Sequence, residues 1–503
     1  MGVNRGLRFG CVWAVVIWIG CVAGETAGAQ PPNILFIYAD DHSPKTVSCY
    51  PGAYPMARTP NIDALAARGV RFQGAYLGSW CMPSRASLLT GHHPHAIQTM
   101  RMEGPYPGST YDPQVCRFWP ATFREHGYHT AQIGKWHTGT DAGFGRDWDF
   151  QVVWNRPKHP DNAPKYYGPQ ILAIQGEERL VEGYSTDIYT DYAERYIRGE
   201  FRDPQKPWFL WLCYGAIHGP TIPADRHRGF YRDREAQPPV DIFGPRPGKP
   251  RYLEKTQVWH PAADGSPQLP NGVSYVQWLR QVNECMLAVD EGVGRLVRAL
   301  QETGQWENTI VIYSSDQGFA NGEHGMRQKV APYDATYRSP LIVSFPARFP
   351  QGKYCSHAVN APDLVVTFFS LAGLELPWKM HGRDLTPLLE NPERDEWPAT
   401  LFEHTGQHYG TDVAAALRSL PAIHSNVPYF VAVCYRQYKF VRYIGDHEPD
   451  ELYDLDRDPE ELHNLAGLPE YRPLCQKLEK MLQEELRRTD GNFLLELGAK
   501  PQP

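Results

Sequence analysis

Short apolar runs alternate with amphipathic stretches as far as about residue 385. Four runs have the length and composition of buried strands, and they cover residues 34–38, 208–214, 309–313 and 341–345. Before the third run, the apolar side chains of 293–300 recur at the i, i+3, i+4, i+7 spacing of one helix face. The alternation predicts an α/β fold with a large, mostly parallel but mixed central sheet flanked by helices.

The pattern changes from about residue 386. Residues 429–443 are strand-like around a polar centre, which indicates an antiparallel hairpin, and 470–488 has helical spacing. We therefore predict a large α/β domain over 30–385 and a smaller C-terminal α+β subdomain with an antiparallel sheet over 386–503. Within the first domain, two segments, 141–183 and 222–270, are rich in Pro, Gly and charge, which is typical of long surface insertions.

Residues 1–29 have the pattern of a secretory signal peptide. Two arginines precede an apolar run over 12–22, and 27–29 form a small-residue cleavage site. Cleavage after Ala29 would make Gln30 the first residue of an exported protein, in the periplasm or outside the cell. The apolar run is too short to span a membrane, so no stable membrane anchor is expected.

The composition argues against a nucleic-acid-binding protein, a zinc module and a disulfide-rich protein. The 503 residues carry a net charge of -7 and include no long basic run, so no nucleic-acid partner is expected. The 10 cysteines include no tight Cys-x-x-Cys pair, which argues against a zinc module and against a dense disulfide framework. One or two disulfides in an exported protein stay open on this reasoning.

Acidic and amide side chains follow two of the predicted strands. Asp40 and Asp41 come shortly after the first apolar run, and Asp316 and Gln317 come shortly after the third. Because sites collect at the carboxyl ends of parallel strands, these oxygen atoms can converge. Hard divalent cations need clustered oxygen ligands, and a mixed carboxylate and amide set favours Ca²⁺, with Mg²⁺ as the alternative.

A short helix is predicted to begin at Cys81. Pro83 suits its first turn, and Gly91 suits the position just past its end. The unpaired backbone N–H groups at the start of such a helix favour a bound anion. Taken alone, Cys81 would be interpreted as an ordinary buried cysteine.

Basic side chains occur in three further segments. Lys135 and His137 are two residues apart, so their side chains point the same way only if the segment is extended. His218 lies just beyond the second apolar run, and Lys329 precedes the fourth. Each of these residues alone would more often be structural or solvated, so their interpretation depends on the whole set of motifs.

Residues 81–91 read Cys-Met-Pro-Ser-Arg-Ala-Ser-Leu-Leu-Thr-Gly, which matches the signature of the type I sulfatases everywhere except at Met82 and Ala86. The other matching motifs are Pro32-Asn33-Ile34-Leu35 leading to Asp40-Asp41, Gly134-Lys135-Trp136-His137, Ser315-Asp316, and Glu451-Leu452-Tyr453-Asp454-Leu455. The chain resembles the type I sulfatases over nearly its whole mature length. This resemblance implies the fold of the alkaline phosphatase superfamily.

The resemblance also implies a modified nucleophile and a metal ion. Cys81 would be converted to formylglycine by a formylglycine-generating maturation enzyme, and the hydrate of this aldehyde would attack sulfur, with Asp316 as the base. Ca²⁺ would be held by residue 81 together with Asp40, Asp41, Asp316 and Gln317. Relatives often carry Asn or His at position 317, so the longer arm of Gln317 is a departure from the family pattern.

The remaining site residues take their roles from the same resemblance. Arg85 would steady the modified side chain and the charge beside it, and His137 would hydrogen-bond the hydrate. The sulfate oxygens would be bound by Lys135, His218 and Lys329. Either His218 or Lys329 would protonate the leaving oxygen.

The implied activity is that of a sulfuric ester hydrolase. Export, long insertions and an aromatic content of 12% favour a sulfated carbohydrate such as an oligosaccharide. An aryl or choline sulfate stays open as the substrate, and a phosphate or phosphonate ester hydrolase of the same superfamily stays open as the activity. Motifs rich in acid and amide argue against a two-zinc phosphatase. A cysteine hydrolase would need Cys81 paired with a histidine, and a sugar-binding protein without catalysis would need Cys81 left unconverted.

Overall fold

The computed structural model describes residues 1–3, 31–98, 100–102, 109–112, 117–419, 422–444 and 448–497. Nearly all of the predicted signal peptide, including the cleavage position at Ala29, lies outside the described residues. In the described part of the chain, no helix is long and apolar enough to cross a membrane.

The strands and helices are numbered along the chain. The first strands are β1 (Asn33–Ala39), β2 (Val70–Tyr76), β3 (Met100–Met102), β4 (Ser109–Tyr111), β5 (His129–Trp136), β6 (Phe150–Asn155), β7 (Gln170–Ile174), β8 (Glu177–Val181) and β9 (Trp208–Cys213). The later strands are β10 (His260–Pro261), β11 (Pro267–Gln268), β12 (Thr309–Ser315), β13 (Ser339–Ser344), β14 (Lys353–Asn360), β15 (Thr400–His404), β16 (Ile423–His424), β17 (Val427–Pro428), β18 (Phe430–Tyr435), β19 (Tyr438–Tyr443) and β20 (Glu451–Asp454). The α-helices are α1 (Pro60–Ala66), α2 (Cys81–Thr90), α3 (Pro120–Glu125), α4 (Ser185–Ile197), α5 (Tyr252–Lys255), α6 (Tyr275–Glu302), α7 (Asp334–Tyr337), α8 (Ala361–Ala372), α9 (Thr386–Glu390), α10 (Thr411–Ser419), α11 (Arg472–Arg488) and α12 (Asn492–Leu497).

A 10-stranded mixed sheet forms the centre of the molecule, in the order β14-β2-β13-β12-β1-β9-β5-β6-β7-β8. Its middle strands, β12, β1, β9, β5 and β6, pair in parallel. Strands β13, β7 and β8 pair antiparallel with their neighbours. The predicted α/β class with a mostly parallel, mixed sheet is therefore confirmed.

Strands β1, β9 and β12 are buried on both faces, which explains why their sequences are apolar over most of their length. Along β1, Phe36 contributes to one core together with helices α2, α3 and α8. Its neighbours Leu35 and Ile37 point to the other face and pack in a second core with α1, α4 and α6. The helix predicted from the spacing in 293–300 is the carboxyl-terminal part of α6.

A second, 4-stranded antiparallel sheet has the order β15-β18-β19-β20. The predicted hairpin is β18 and β19, and the predicted helix 470–488 is α11, which packs with β18 over a third apolar core. The smaller antiparallel subdomain is confirmed, while its boundary with the first domain at 385/386 stays a prediction.

The interpretation of 141–183 as a surface insertion was wrong in part. Strand β6 lies in this segment, is entirely buried and pairs in parallel with β5 inside the central sheet. Strands β7 and β8 follow it, and β8 forms an exposed edge. The second segment, 222–270, contains no helix or strand longer than four residues, and its interpretation as a surface insertion stays a prediction. The described cysteines are all free of disulfide bonds; these are Cys49, Cys81, Cys213, Cys285, Cys355, Cys434 and Cys475.

Candidate active site

The parallel pairing of β1 with β12 places two acidic strand ends side by side. Ala39 is opposite Ser315 in the register, so Asp40 and Asp316 leave the sheet at the same edge. The backbone N–H of Asp41 donates to Oδ1 of Asp316 over 3.0 Å. The side chain of Gln317 donates through Nε2 to Oδ1 of Asp41. The structure therefore brings Asp40, Asp41, Asp316 and Gln317 together at one edge of the sheet.

Cys81 is the first residue of α2, a helix whose residues are all buried. The helix ends at Gly91, which has the left-handed φ of 70° that glycine adopts without strain. The thiol donates to Oδ1 of Asp40 over 3.4 Å and accepts from Nζ of Lys329 over 3.2 Å. Burial and the charge of Asp40 raise the pKa of the Cys81 thiol to about 12. A thiolate is not favoured here at neutral pH, which argues against a cysteine hydrolase.

Lys135 and Arg85 balance the charge of the carboxylates. Lys135 is at the end of β5, and its Nζ contacts Oδ2 of Asp40. Strand β5 can lie this close to β9 because residue 134 is glycine: a Cβ there would stand 1.8 Å from the carbonyl oxygen of Cys213. Arg85, on α2, donates to Oδ2 of Asp40 over 2.9 Å.

The electrostatics give the two central carboxyl groups, those of Asp40 and Asp316, very different pKa values. Burial would raise the pKa of Asp40, but Lys135, His218 and Arg85 outweigh it and hold that pKa well below its ordinary value. Burial and the charge of Asp40 raise the pKa of Asp316 to about 7. One carboxyl is therefore firmly ionised, while its neighbour titrates near neutral pH, as a group that exchanges protons must.

Two histidines and a lysine complete the set. His137 directly follows β5, and its Nε2 accepts from Nε of Arg156 over 3.2 Å. Nδ1 of His218 is 2.8 Å from the carbonyl oxygen of Gly219, and Nε2 is 3.7 Å from Oδ2 of Asp41. Because a carbonyl oxygen only accepts, Nδ1 carries the proton. Nε2 thus points toward the acidic cluster.

Charge also fixes the protonation of these groups. Burial, together with Lys135 and Arg156, holds the pKa of His137 well below its ordinary value. Burial and the charge of Lys329 lower the pKa of His218 to about 4. For Lys329, burial is outweighed by Asp41 and residue 81, so its pKa stays well above the ordinary value. At neutral pH the site presents neutral imidazoles beside the charged ammonium group of Lys329.

The donor set fits a hard divalent cation. Ligand atoms of Asp40, Asp41, Cys81 and His218 all lie within 4.8 Å of one another. The amide oxygen of Gln317 is buried and accepts no hydrogen bond from the described residues. Buried carbonyl oxygens are normally satisfied, so a ligand for this oxygen is expected. Oxygen-rich clusters with an amide member suit Ca²⁺ or Mg²⁺.

Sequence reasoning missed several residues around this cluster. Trp80 stands directly before the helix, and its ring is 6.2 Å from that of His137 and 5.2 Å from that of His424. Arg156 contacts His137, and Tyr166 donates through its hydroxyl to the carbonyl oxygen of His218 over 2.6 Å. Arg156 and Tyr166 belong to the segment 141–183, which was interpreted as a surface insertion. The mainly apolar run over 150–155 was the available sequence signal that a buried strand lies in this segment.

Comparison with known proteins gives matches along most of the chain. The sulfatase family model matches residues 32–374, and the model of the carboxyl-terminal region of N-sulphoglucosamine sulphohydrolase matches 322–488. An N-acetylglucosamine-6-O-sulfatase of Bacteroides thetaiotaomicron is 28% identical, over 94% of this chain and 89% of that protein. An ulvan-active sulfatase of Formosa agariphila is 26% identical, over 92% of this chain and 82% of that protein.

A solved structure also matches closely in fold. It was determined in complex with its substrate D-glucosamine-2-N,6-O-disulfate, and it superposes with a TM-score of 0.76 at 25% identity. The match covers 92% of this chain and 99% of that chain. The fold, the strand-end site and these relatives define a sulfuric ester hydrolase of the alkaline phosphatase superfamily. The chain belongs to the sulfatase family, whose model covers more than half of its 503 residues.

Proposed function

We propose that this protein removes sulfate from a sulfated carbohydrate, after export and after conversion of Cys81 to formylglycine. One observation carries the proposal: residue 81 begins a buried helix and lies within hydrogen-bonding distance of both Asp40 and Lys329. A nucleophile at this point meets a cation site on one side and a fixed ammonium group on the other. Sulfuryl transfer needs both, because charge spreads over the nonbridging oxygens.

The relatives support a carbohydrate as the substrate. The relative from Bacteroides thetaiotaomicron is named for N-acetylglucosamine 6-sulfate, and that from Formosa agariphila for the polysaccharide ulvan. The matching solved structure holds a disulfated glucosamine. All of these substrates are sulfated sugars, which favours this class over an aryl or choline sulfate for the present chain.

The metal ligands in this proposal are Asp40, Asp41, Asp316, Gln317 and residue 81. When bound, Ca²⁺ would supply positive charge to the sulfate oxygens, and formylglycine would supply a hydroxyl nucleophile from its hydrate. Arg85 holds two of the carboxylates in place through hydrogen bonds of 2.9 and 3.0 Å. Asp316 has the raised pKa of a group that can take up a proton near neutral pH.

The other side chains divide into binding and proton transfer. Lys135 and Lys329 present ammonium groups toward Asp40, Asp41 and residue 81, where they would bind sulfate oxygens. His137 is kept neutral, so it would donate or accept a hydrogen bond without adding charge. His218 lies at the partly exposed side of the cluster, where the alcohol of the substrate would leave.

The test is release of free sulfate from a panel of sulfated oligosaccharides, their parent polysaccharides and a small aryl sulfate. We expect release from at least one oligosaccharide, and none with Cys81→Ala or Cys81→Ser. The serine variant is the sharper control, because it keeps a hydroxyl but cannot form an aldehyde hydrate. Paired phosphate and phosphonate esters belong in the same panel. Faster hydrolysis of these esters than of any sulfate would contradict the proposal.

The state of residue 81 has to be read from the same preparation. Trypsin cuts after Arg71 and Arg85, so mass spectrometry of the peptide 72–85 distinguishes a thiol from an aldehyde. An aldehyde without activity on any sulfate ester would refute the proposed reaction. A thiol without activity would mean failed maturation in that expression host, and a co-expressed maturation enzyme would then have to restore activity.

A further inference from the structure

A small hairpin of the carboxyl-terminal subdomain reaches the candidate active site. It consists of β16 and β17, joined by Ser425 and Asn426, which have φ values of 53° and 62°. Two positive φ values in a two-residue loop are those of a tight hairpin turn. The base of the hairpin is held by the backbone bond of 2.7 Å from Tyr429 N–H to the Ala422 carbonyl, and Val427 is buried in the main core. The hairpin is thus fixed in position.

This hairpin brings His424 against the residue that precedes the nucleophile. The ring of His424 is 5.2 Å from that of Trp80 and 5.4 Å from that of His404. Nε1 of Trp80 donates to the carbonyl oxygen of Gly406 over 3.1 Å. The carboxyl-terminal subdomain therefore contacts the start of α2 at several points, and His424 is its partly exposed member there.

His424 and His404 differ in how the fold uses them. His404 is fully buried, and its Nδ1 is 3.0 Å from Oγ of Ser79, so it has a structural hydrogen bond. Nδ1 of His424 and Nε2 of His404 are both buried atoms without a hydrogen-bond partner among the described residues. The two rings differ in exposure: His404 is enclosed, whereas the ring of His424 is partly exposed, so its accessible edge can contact a molecule outside the chain.

The charge around His424 indicates the kind of group it would contact. Burial and the nearby charge of Lys329 lower the pKa of His424 to about 4, so the ring is neutral at neutral pH. Under the proposed function, the ammonium groups of Lys135 and Lys329 already bind the sulfate oxygens. A neutral imidazole beside them suits a neutral hydroxyl, which can donate to it or accept from it.

We propose that His424 is a specificity-determining residue, which hydrogen-bonds a hydroxyl group on the sugar ring next to the sulfate ester. The inference rests on the proposed carbohydrate sulfatase function and adds a recognition contact to it. It also gives the carboxyl-terminal subdomain a direct part in substrate choice, through a hairpin of a few residues.

The experiment compares two substrates and three variants of the mature enzyme. His424→Phe keeps a ring against Trp80 but removes both nitrogens, and His424→Gln keeps a hydrogen-bonding group. Ile423→Ala is the matched control, because Ile423 lies on the opposite face of the same strand and is 41% exposed. KM and kcat are measured for the best sulfated oligosaccharide and for a small aryl sulfate that lacks sugar hydroxyls.

We expect His424→Phe to raise KM for the oligosaccharide about tenfold, the scale of one lost hydrogen bond, with little change for the aryl sulfate. His424→Gln should retain more oligosaccharide activity than His424→Phe, and Ile423→Ala should match the wild type. An unchanged oligosaccharide KM in His424→Phe would overturn the inference and leave the sulfatase function intact. If His424→Phe proves unstable, the Gln variant decides: equal losses on both substrates would also overturn it. A wild type that cleaves only the aryl sulfate would refute the carbohydrate function and the inference together.

Discussion

Arg85 joins the ends of two strands through a single nitrogen. Nη2 donates over 2.9 Å to Oδ2 of Asp40 and over 3.0 Å to Oδ2 of Asp316, and all three side chains are almost fully buried. The guanidinium also lies over the ring of Tyr38, 5.3 Å from its centroid. A rigid, planar cation at this point orients both carboxylates before any metal binds.

Removal of Arg85 should destabilise the protein strongly. In Arg85→Met, two buried carboxyl groups lose a shared partner, and we expect a loss of about 3–5 kcal/mol in unfolding free energy without added metal. The exposed pair of Arg348 with Glu390 provides the control, since Arg348→Met should cost only about 0–1 kcal/mol. Urea denaturation in the presence of a chelator measures both values. Equal costs for the two variants would contradict the bridging role.

Calcium should stabilise the folded state. At a free Ca²⁺ concentration about 100 times Kd, the unfolding free energy should rise by about 2.7 kcal/mol, and a chelator should abolish activity. Mg²⁺ at the same concentration should have a smaller effect. Calorimetric titration of the wild type, with Asp41→Asn as the impaired control, checks the affinity. Identical Ca²⁺ and Mg²⁺ affinities would argue against the assigned donor set.

Gln317 should contribute to this affinity through its amide oxygen. Gln317→Leu removes the oxygen at similar size, and we expect at least about a tenfold weaker Ca²⁺ affinity, since even outer-shell partners have such effects. Gln317→Asn keeps the amide on a shorter arm and should lose less. The same titration applies. A Leu variant with wild-type affinity would remove Gln317 from the ligand set.

The strand-end part of the site could be predicted from the sequence, because the strands that carry it are buried on both faces. Continuous apolar runs such as 34–38 are visible without any alignment, and the polar residues that follow them mark the edge of the sheet. The position of β6 was missed because Pro, Gly and charge in its flanks outweigh its short apolar core. The contact between Trp80 and His424 joins residues more than 300 positions apart, and no local sequence pattern predicts such a contact.

His218 should act as the general acid toward the leaving alcohol. Burial and the charge of Lys329 lower its pKa to about 4, and a bound anion would raise that pKa toward neutral pH, whereas the pKa of Lys329 is held well above its ordinary value. His218→Ala should therefore lose about 10²–10⁴-fold on esters of poorly acidic alcohols and much less on esters of acidic phenols. A series of aryl sulfates measures this dependence, with Lys329→Ala as the comparison. A steeper dependence in Lys329→Ala instead would reassign the role.

The rings of His93, His95 and His381 stack on one another, with centroids 5.7 to 5.9 Å apart, and this group should make the free energy of unfolding fall in acid. Burial and nearby positive charge hold the pKa values of His93 and His381 below their ordinary value. Such groups stabilise the fold above the unfolded pKa of about 6.5, and this contribution is lost as the pH falls toward the folded pKa, by up to about 1.4 kcal/mol per pH unit for each proton. For His95, Glu403 outweighs burial and raises the pKa, which acts in the opposite direction.

We expect His93→Phe to reduce the loss of stability between about pH 6.5 and pH 5, because one buried group no longer takes up a proton on unfolding. The control is His463→Phe, which replaces an exposed histidine and should leave the slope unchanged. Urea midpoints at several pH values give the slopes. A His93→Phe slope equal to that of the wild type would exclude His93 as a source of the acid sensitivity.

Every residue of α2 is buried, and Cys81 itself is 1% exposed. Under the proposed function, the maturation enzyme has to bind this segment while it is still extended and accessible. Oxidation of Cys81 and folding of the chain therefore compete in time. A chain that folds before Cys81 is oxidised stays inactive. The fraction of working molecules in a culture then depends on how fast the chain folds relative to how fast it is oxidised, so a variant that folds faster can yield a less active preparation.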